Sequence, residues 1–287
     1  MRVLAGIVRG LVCGLLLGGS AASAAAGPAP APTPASAPVE VRLYALNCGH
    51  LEFRDKSFFS DTGEYDGQSA RIVAPCFVIR HPKGVLVWDT GLSPDFPRGV
   101  NAAGVSGGFE GSVTQMLAQI GMRPADVTWL SFSHLHSDHT GNANLFKSAT
   151  WILNATELKW ALAGGQFVEE PTFSLYKGAK QRLIDGDYDV FGDGTVRILK
   201  TPGHTPGHQV LLLKLRQAGT VILAGDLYHF HTDRTERLVP IFNTSRAETL
   251  ASFDRVERIA RNTHARVVIE HSPEDFKALP AFPGYLD

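Results

Sequence analysis

The stretch "SHLHSDHTGN", residues 133–142, places His134, His136, Asp138 and His139 within six consecutive positions. It continues the apolar run "WLSF" at 129–132, which has strand character, so the cluster stands where a rigid element ends. Side chains alternate along an extended strand, so His134 and His136 leave it on the same side. The turn that follows can aim Asp138 and His139 at a second point nearby. One ion cannot use all four groups comfortably, whereas two can. Imidazole and carboxylate are ligands for zinc, iron(II), cobalt and manganese, with zinc the usual choice where His and Asp leave a position open. The competing reading is a solvated polar loop, and so dense a set of ligand-type residues at a strand end argues against it.

Three later stretches add to the set. "KTPGHTPGHQ" (200–209), "LAGDLY" (223–228) and "VVIEHS" (267–272) each put a His or Asp just after a strand-like run. Loops at strand ends are where a scaffold collects functional groups from distant parts of a chain. His204, Asp226 and His271 thereby complete a group of seven candidate ligands. Asp226 can also be read as a simple turn residue, and His208 reads as a hydrogen-bonding partner rather than a ligand. His50, His81, His231 and His264 have no motif around them.

The rest of the chain sets bounds. Its 287 residues are 44% apolar, with 27 basic and 28 acidic side chains and a formal charge of -1. That is a globular composition without an electrostatic footprint for nucleic acid or an anionic membrane. Arg2 and Arg9, the apolar "GLVCGLLLGG" (10–19) and the small residues of "SAASAAA" (20–26) predict a signal peptide over 1–26, cleaved after Ala24 or Ala26. The apolar run is short of the roughly 20 residues of a membrane span, so an exported protein, periplasmic or secreted, without stable membrane insertion is expected. Val12 rather than a small residue precedes Cys13, which disfavours a lipid anchor. "GPAPAPTPASAP" (27–38) is an extended linker, and the folded catalytic domain is placed at 39–287. Cys48 and Cys76 then remain, either as a disulfide or as two buried thiols.

Strand-like runs fall at 41–46, 76–80, 84–91, 129–134, 195–200, 209–215, 219–226 and 265–270, with "HPKG" (81–84) as a hairpin turn. Helices are predicted at 111–121, 154–165 and 245–262. The last of these opens on Ser245 with Glu248 as a capping box. Strands in both halves with flanking helices predict an α/β domain built on a central pair of sheets.

Taken in order, Asp89 in "WDTG", "HLHSDH", "PGHTPGH", "GD" and a late His resemble the motifs of the metallo-beta-lactamase superfamily, over nearly all of the chain from Val41. The resemblance implies a four-layer αβ/βα sandwich with two divalent metal ions between the sheets. His134, His136 and His204 would hold one ion, Asp138, His139 and His271 the other, with Asp226 bridging and Asp89 supporting the ligands from behind. It further implies hydrolysis by a hydroxide held between the metals. β-Lactamases of the superfamily lack the bridging carboxylate, and the sixteen residues after His271 leave the helical substrate domain of glyoxalase II unexpected.

"LYALNCGHLEF", "TPGHTPGHQ", "GDLY" and the ending "EHSPEDFKALPAFPGYLD" look like the N-acyl homoserine lactone lactonases. In these a catalytic Tyr stands three residues after the bridging Asp. Here that position is His229, with Tyr228 one residue earlier, and either is a candidate for steadying the oxyanion. Asp138 would help protonate the departing alkoxide. The expected substrate is a small acyl lactone. Its chain would lie against segments 93–109 and 165–176, with Phe96, Phe109, Phe167, Phe173 and Tyr176, unless those rings simply pack beneath long loops. A β-lactamase of the three-histidine type, a broad esterase-lactonase and a non-catalytic metal-binding module are the alternatives, and a homodimer is left open.

Overall fold

A computed structural model describes residues 40–287 except Arg98 and Glu110. The signal peptide and linker expected at 1–26 and 27–38 lie outside the described residues. Seven strands form the first sheet: β1 (Arg42–Phe53), β2 (Ala70–His81), β3 (Gly84–Thr90), β4 (Val105–Gly108), β5 (Trp129–Ser131), β6 (Thr150–Asn154) and β7 (Lys180–Ile184), in the order β4-β1-β2-β3-β5-β6-β7. Five form the second: β8 (Tyr188–Asp189), β9 (Val196–Lys200), β10 (Gln209–Leu215), β11 (Gly219–Leu223) and β12 (Arg266–Val268), in the order β12-β11-β10-β9-β8.

Both parities of the central strands are apolar, which requires cover on both faces of each sheet. Phe77, Ile79, Leu86 and Trp88 of the first sheet meet Ile198, Leu211, Leu213 and Leu223 of the second in one buried core. The opposite parity of the first sheet, with Val78, Val87 and Leu130, packs with Val113 and Leu117 of the helix Val113–Gln119. On the far side, Leu212, Ile222 and Val267 pack with Phe253, Val256 and Ala260 of the helix Arg246–Thr263. Helix, sheet, sheet and helix make the four layers that the superfamily resemblance implies. Among the described residues no helix is long and apolar enough to cross a membrane.

Several boundaries differ from the sequence reading. The strand expected to begin at Cys76 runs back through Pro75 to Ala70. Proline is tolerated inside this sheet because the β1–β2 register shifts between Asn47 and His50, and the β2–β3 register between Cys76 and Phe77. Strand β11 ends at Leu223, not at Asp226, which sits instead in the 3-10 turn Gly225–Leu227. Half of the expected capping box forms. Glu248 N–H donates to Ser245 Oγ (3.2 Å), while Ser245 N–H goes to Gly203 O (2.9 Å) and leaves no donor for the Glu248 side chain.

Cys48 and Cys76 are joined in a disulfide with Cα atoms 5.6 Å apart, and both are buried. It ties the irregular step of β1 to β2 across 28 residues of sequence. Closing a loop of that length restricts the unfolded chain by about 3–4 kcal/mol. Replacing both cysteines by serine is therefore expected to lower the unfolding free energy by about that amount in urea. A double variant as stable as the parent would show that the bridge adds nothing.

Candidate metal centre

Asp89 is the penultimate residue of β3, and the His134–His139 cluster, His204, Asp226 and His271 follow the C-terminal ends of β5, β9, β11 and β12. The two sheets thus deliver their loops to one edge of the sandwich. Gly141 allows the first of these loops to pass close to its neighbour: a Cβ there would lie 2.1 Å from Ser93 N. Gly207 does the same beside the helix Ala155–Leu162, where a Cβ would lie 2.5 Å from Glu157 N.

The structure brings all seven predicted groups together. His204 Nε2 lies 3.2 Å from both His134 Nε2 and His136 Nδ1, and 3.3 Å from Asp226 Oδ2. On the other side, His139 Nε2 and His271 Nε2 are 3.3 Å apart, and each is 3.0 Å from Asp226 Oδ1. Asp138 Oδ2 completes that side at 3.6 Å from His271 Nε2. Two ligands about 2.0–2.1 Å from a shared tetrahedral ion stand about 3.3 Å apart, which is the spacing seen in both groups. The two oxygens of Asp226 therefore face two separate donor sets, and Oδ1 is buried with no hydrogen-bond partner. This donor set fits two divalent ions.

Neighbouring groups fix which nitrogen each imidazole presents. His139 Nδ1–H donates to Asp89 Oδ2 (2.9 Å), His204 Nδ1–H to Asn243 Oδ1 (2.9 Å) and His271 Nδ1–H to Val73 O (2.6 Å). Each Nε2 is left to point inward. Burial pushes His134 and His136 well below the ordinary imidazole range, which keeps them in the neutral, ligating form. Burial opposes charge on His271 as well, yet the Asp226 carboxylate lifts it to about 9. Asp226, aided by Asp89, likewise outweighs burial at His139 and raises it. The carboxylate-rich half thus calls for positive charge, as protons or as a cation.

His208 plays the part expected of it. Its Nδ1–H donates to Thr201 O (3.0 Å) and its Nε2 accepts from Asp226 N–H (3.0 Å), so burial holds it neutral, down to about 3. Tyr228 does not reach the site. It packs on Phe253 in the outer core and donates to Glu257 Oε1 (3.0 Å), so the oxyanion role considered for it is corrected. His229 points the other way, into the site, with Nε2 3.0 Å from Asp226 Oδ2.

Three buried acids were not singled out in the sequence. Glu157 accepts Leu135 N–H (3.0 Å) and Gly207 N–H (2.8 Å), clasping the two histidine loops. Glu270 accepts Gly225 N–H (2.7 Å) and Trp88 Nε1–H (3.2 Å), and burial pushes it up to about 8. Asp233 accepts His229 N–H and Phe230 N–H, both at 2.9 Å, and the Tyr65 hydroxyl at 2.5 Å. Only Glu270 lay inside a motif, beside His271.

A cavity of about 610 Å³ opens over Asp138, Asp226, His229 and His271. Phe96 and Phe167 line it as expected, whereas Phe109, Phe173 and Tyr176 do not: all three are buried core residues. Phe58, Phe59, Ile241 and Phe242 take their place.

A model of the metallo-beta-lactamase superfamily matches residues 71–264. The chain belongs to the metallo-beta-lactamase superfamily. Within this superfamily it is 33% identical over 267 residues to N-acyl homoserine lactonase AttM of Azorhizobium caulinodans, covering 86% of this chain and 99% of the relative. It is 27% identical over 223 residues to N-acyl homoserine lactonase AiiA of Bacillus thuringiensis subsp. kurstaki, covering 74% of this chain and 86% of AiiA. A solved N-acyl homoserine lactone hydrolase with N-hexanoyl-L-homoserine bound at its catalytic metal centre superimposes with a TM-score of 0.75. That pair is 25% identical, over 86% of this chain and 99% of the other.

Removing the Glu157 carboxylate as Glu157→Ala strands two buried amide donors and is expected to cost about 2–4 kcal/mol, measured by urea unfolding. Glu157→Gln keeps one acceptor oxygen and should recover part of that loss. An alanine variant of parental stability would show that Glu157 does not hold the loops.

Proposed function

We propose that this chain is a metal-dependent hydrolase that opens the ring of N-acyl homoserine lactones, and so quenches quorum signals. The observation that carries this reading is the divided carboxylate of Asp226, with one oxygen toward each donor set and an apolar cavity above. The similarity to AttM over nearly the whole of that relative supports it. The seven side chains would hold two divalent ions, zinc being the usual choice for His and Asp, and such ions would supply Lewis acidity and make water a nucleophile near neutral pH.

The chain's own residues supply the rest. Asp226 bridges the two halves. His229 lines the cavity beside Asp226, and its Nε2–H, 3.0 Å from Asp226 Oδ2, would be shared with a lactone carbonyl oxygen as charge develops there. Asp138 is the most exposed of the seven groups at the cavity floor and is placed to carry a proton to the departing alkoxide. Aromatic walls receive the acyl chain and keep bulk water off the reacting bond. Export to the periplasm or beyond belongs to the same reading. The features of residues 1–26 and the Cys48–Cys76 disulfide support it.

A pH-stat assay on hexanoyl homoserine lactone and on a penicillin, with metal content determined alongside, tests this function. Expected are ring opening of the lactone, loss of activity on chelation and its return with a divalent ion. Asp226→Asn should lower kcat/KM by roughly 100-fold or more. A hydrolysed penicillin beside an untouched lactone would sink the reading.

A further inference from the structure

We propose that the Cys48–Cys76 disulfide is a positioning device for one half of the metal centre, bracing the segments that hold His139 and His271; this rests on the two-ion reading above. His271 is held from the first sheet by two bonds to a single residue of β2. Its Nδ1–H donates to Val73 O (2.6 Å), and its carbonyl accepts Val73 N–H (3.2 Å). His139 is held by the end of β3. There Asp89 Oδ2 accepts the ring Nδ1–H (2.9 Å), and the Thr90 hydroxyl donates to the His139 carbonyl (3.0 Å).

Both supports stand where the sheet's own pairing is interrupted. The β1–β2 ladder steps from Asn47 opposite Pro75 to His50 opposite Val73, passing over Cys48 and Gly49 on one strand and Ala74 on the other. Pro75 has no N–H to give at this step. The β2–β3 ladder ends at Cys76 opposite Thr90 and shifts beside that pair, so Val73 lies beyond the last link between β2 and β3. The disulfide spans the gap. Cys76 pairs with Thr90, and Cys48 O accepts Leu92 N–H (3.0 Å). Gly91, with φ +63°, packs so closely on the bridge that a Cβ there would lie 2.3 Å from Cys48 Cβ. The other half of the centre is held by different means. His204 is backed by Asn243 Oδ1 and His134 by Ser133 Oγ, while Glu157 clasps their loops. Asp89 also accepts Ser133 N–H (2.7 Å), so along that path the bridge stops one residue short of a ligand.

The experiment titrates cobalt-loaded protein with a pyridine dicarboxylate chelator and follows the cobalt spectrum and the ions retained per chain. It compares wild type with Cys48→Ser/Cys76→Ser and with Cys48→Ala/Cys76→Val, which keeps the buried site apolar. Val256→Ala, a change in the outer core, is a control for general loss of stability. His271→Ala and His204→Ala supply reference spectra with one or the other half disabled. Wild type is expected to hold two ions. In both cysteine pairs one ion should leave at about tenfold lower chelator concentration, the effect usual when a group behind a ligand is disturbed. The ion that stays should give the His271→Ala spectrum, and in metal-free protein the Val73 amide should exchange with deuterium faster than in wild type. Cysteine variants that hold both ions as firmly as wild type, or release both in parallel, overturn the brace. Val256→Ala shedding the same single ion also overturns it, since general destabilisation is then the cause. A wild-type protein that binds fewer than two ions overturns the two-ion reading and the brace with it.

Discussion

The Asp226 carboxylate is buried, at 4% exposure, with the Nε2 atoms of His134, His139, His204, His229 and His271 all within 3.7 Å of its oxygens. A carboxylate in that position is tolerated only if positive charge and hydrogen bonds offset the loss of water, which otherwise costs several kcal/mol. The offsetting groups arrive on four loops: His134 and His139 share the one after β5, His204 follows β9, His229 shares the loop of Asp226 after β11, and His271 follows β12. The fold must therefore end four strands at one edge, and it must hold the loops there without help from regular secondary structure.

Buried acids do that holding. Asp89 accepts Ser133 N–H (2.7 Å) and the His139 ring, Glu157 accepts amides from both histidine loops, and Glu270 joins the Asp226 turn to Trp88 of β3. Asp233 receives the amides of His229 and Phe230 and sets the direction in which His229 points. Asp89, Glu157 and Glu270 each join segments far apart in sequence, so a misplaced loop would leave both a buried carboxylate and a buried amide unpaired. Such coupling penalises every arrangement in which one ligand is absent.

This accounts for what the sequence disclosed. The ligands were readable because they cluster just after apolar runs, and both sheets were readable because both parities of their strands are apolar. Glu157 was not, since an acid that accepts remote backbone amides leaves no local pattern. Asp233 caps the amides three and four residues before it, but the residue at the N-cap is Phe230, so the usual Ser or Thr signal of a capping box is missing. The direction of Tyr228 was hidden for a different reason. A strand read through to Asp226 gives the wrong parity, and the chain instead turns at Gly225–Leu227 before extending again at Tyr228. Neighbours in extended backbone face opposite ways, so Tyr228 enters the outer core and His229 the site. Strands β4, β6, β7 and β8 were not expected: β4 is "VSGG", the first four side chains of β7 "KQRLI" are exposed, β8 has two residues, and β6 "TWILN" is a short run that leads straight into the helix Ala155–Leu162.

The aromatic residues around the cavity show why an apolar wall and a charged floor belong together. Phe59 lies 4.7 Å, centroid to centroid, from His229, and Phe242 lies 5.9 Å from it, so water has little access to the His229 ring. In such surroundings a hydrogen bond from His229 to a developing oxyanion is stronger than it would be in water. The same rings offer an acyl chain its apolar surface. Binding of the chain would displace remaining water from above Asp226, so the part of a substrate that does not react improves the electrostatics acting on the part that does.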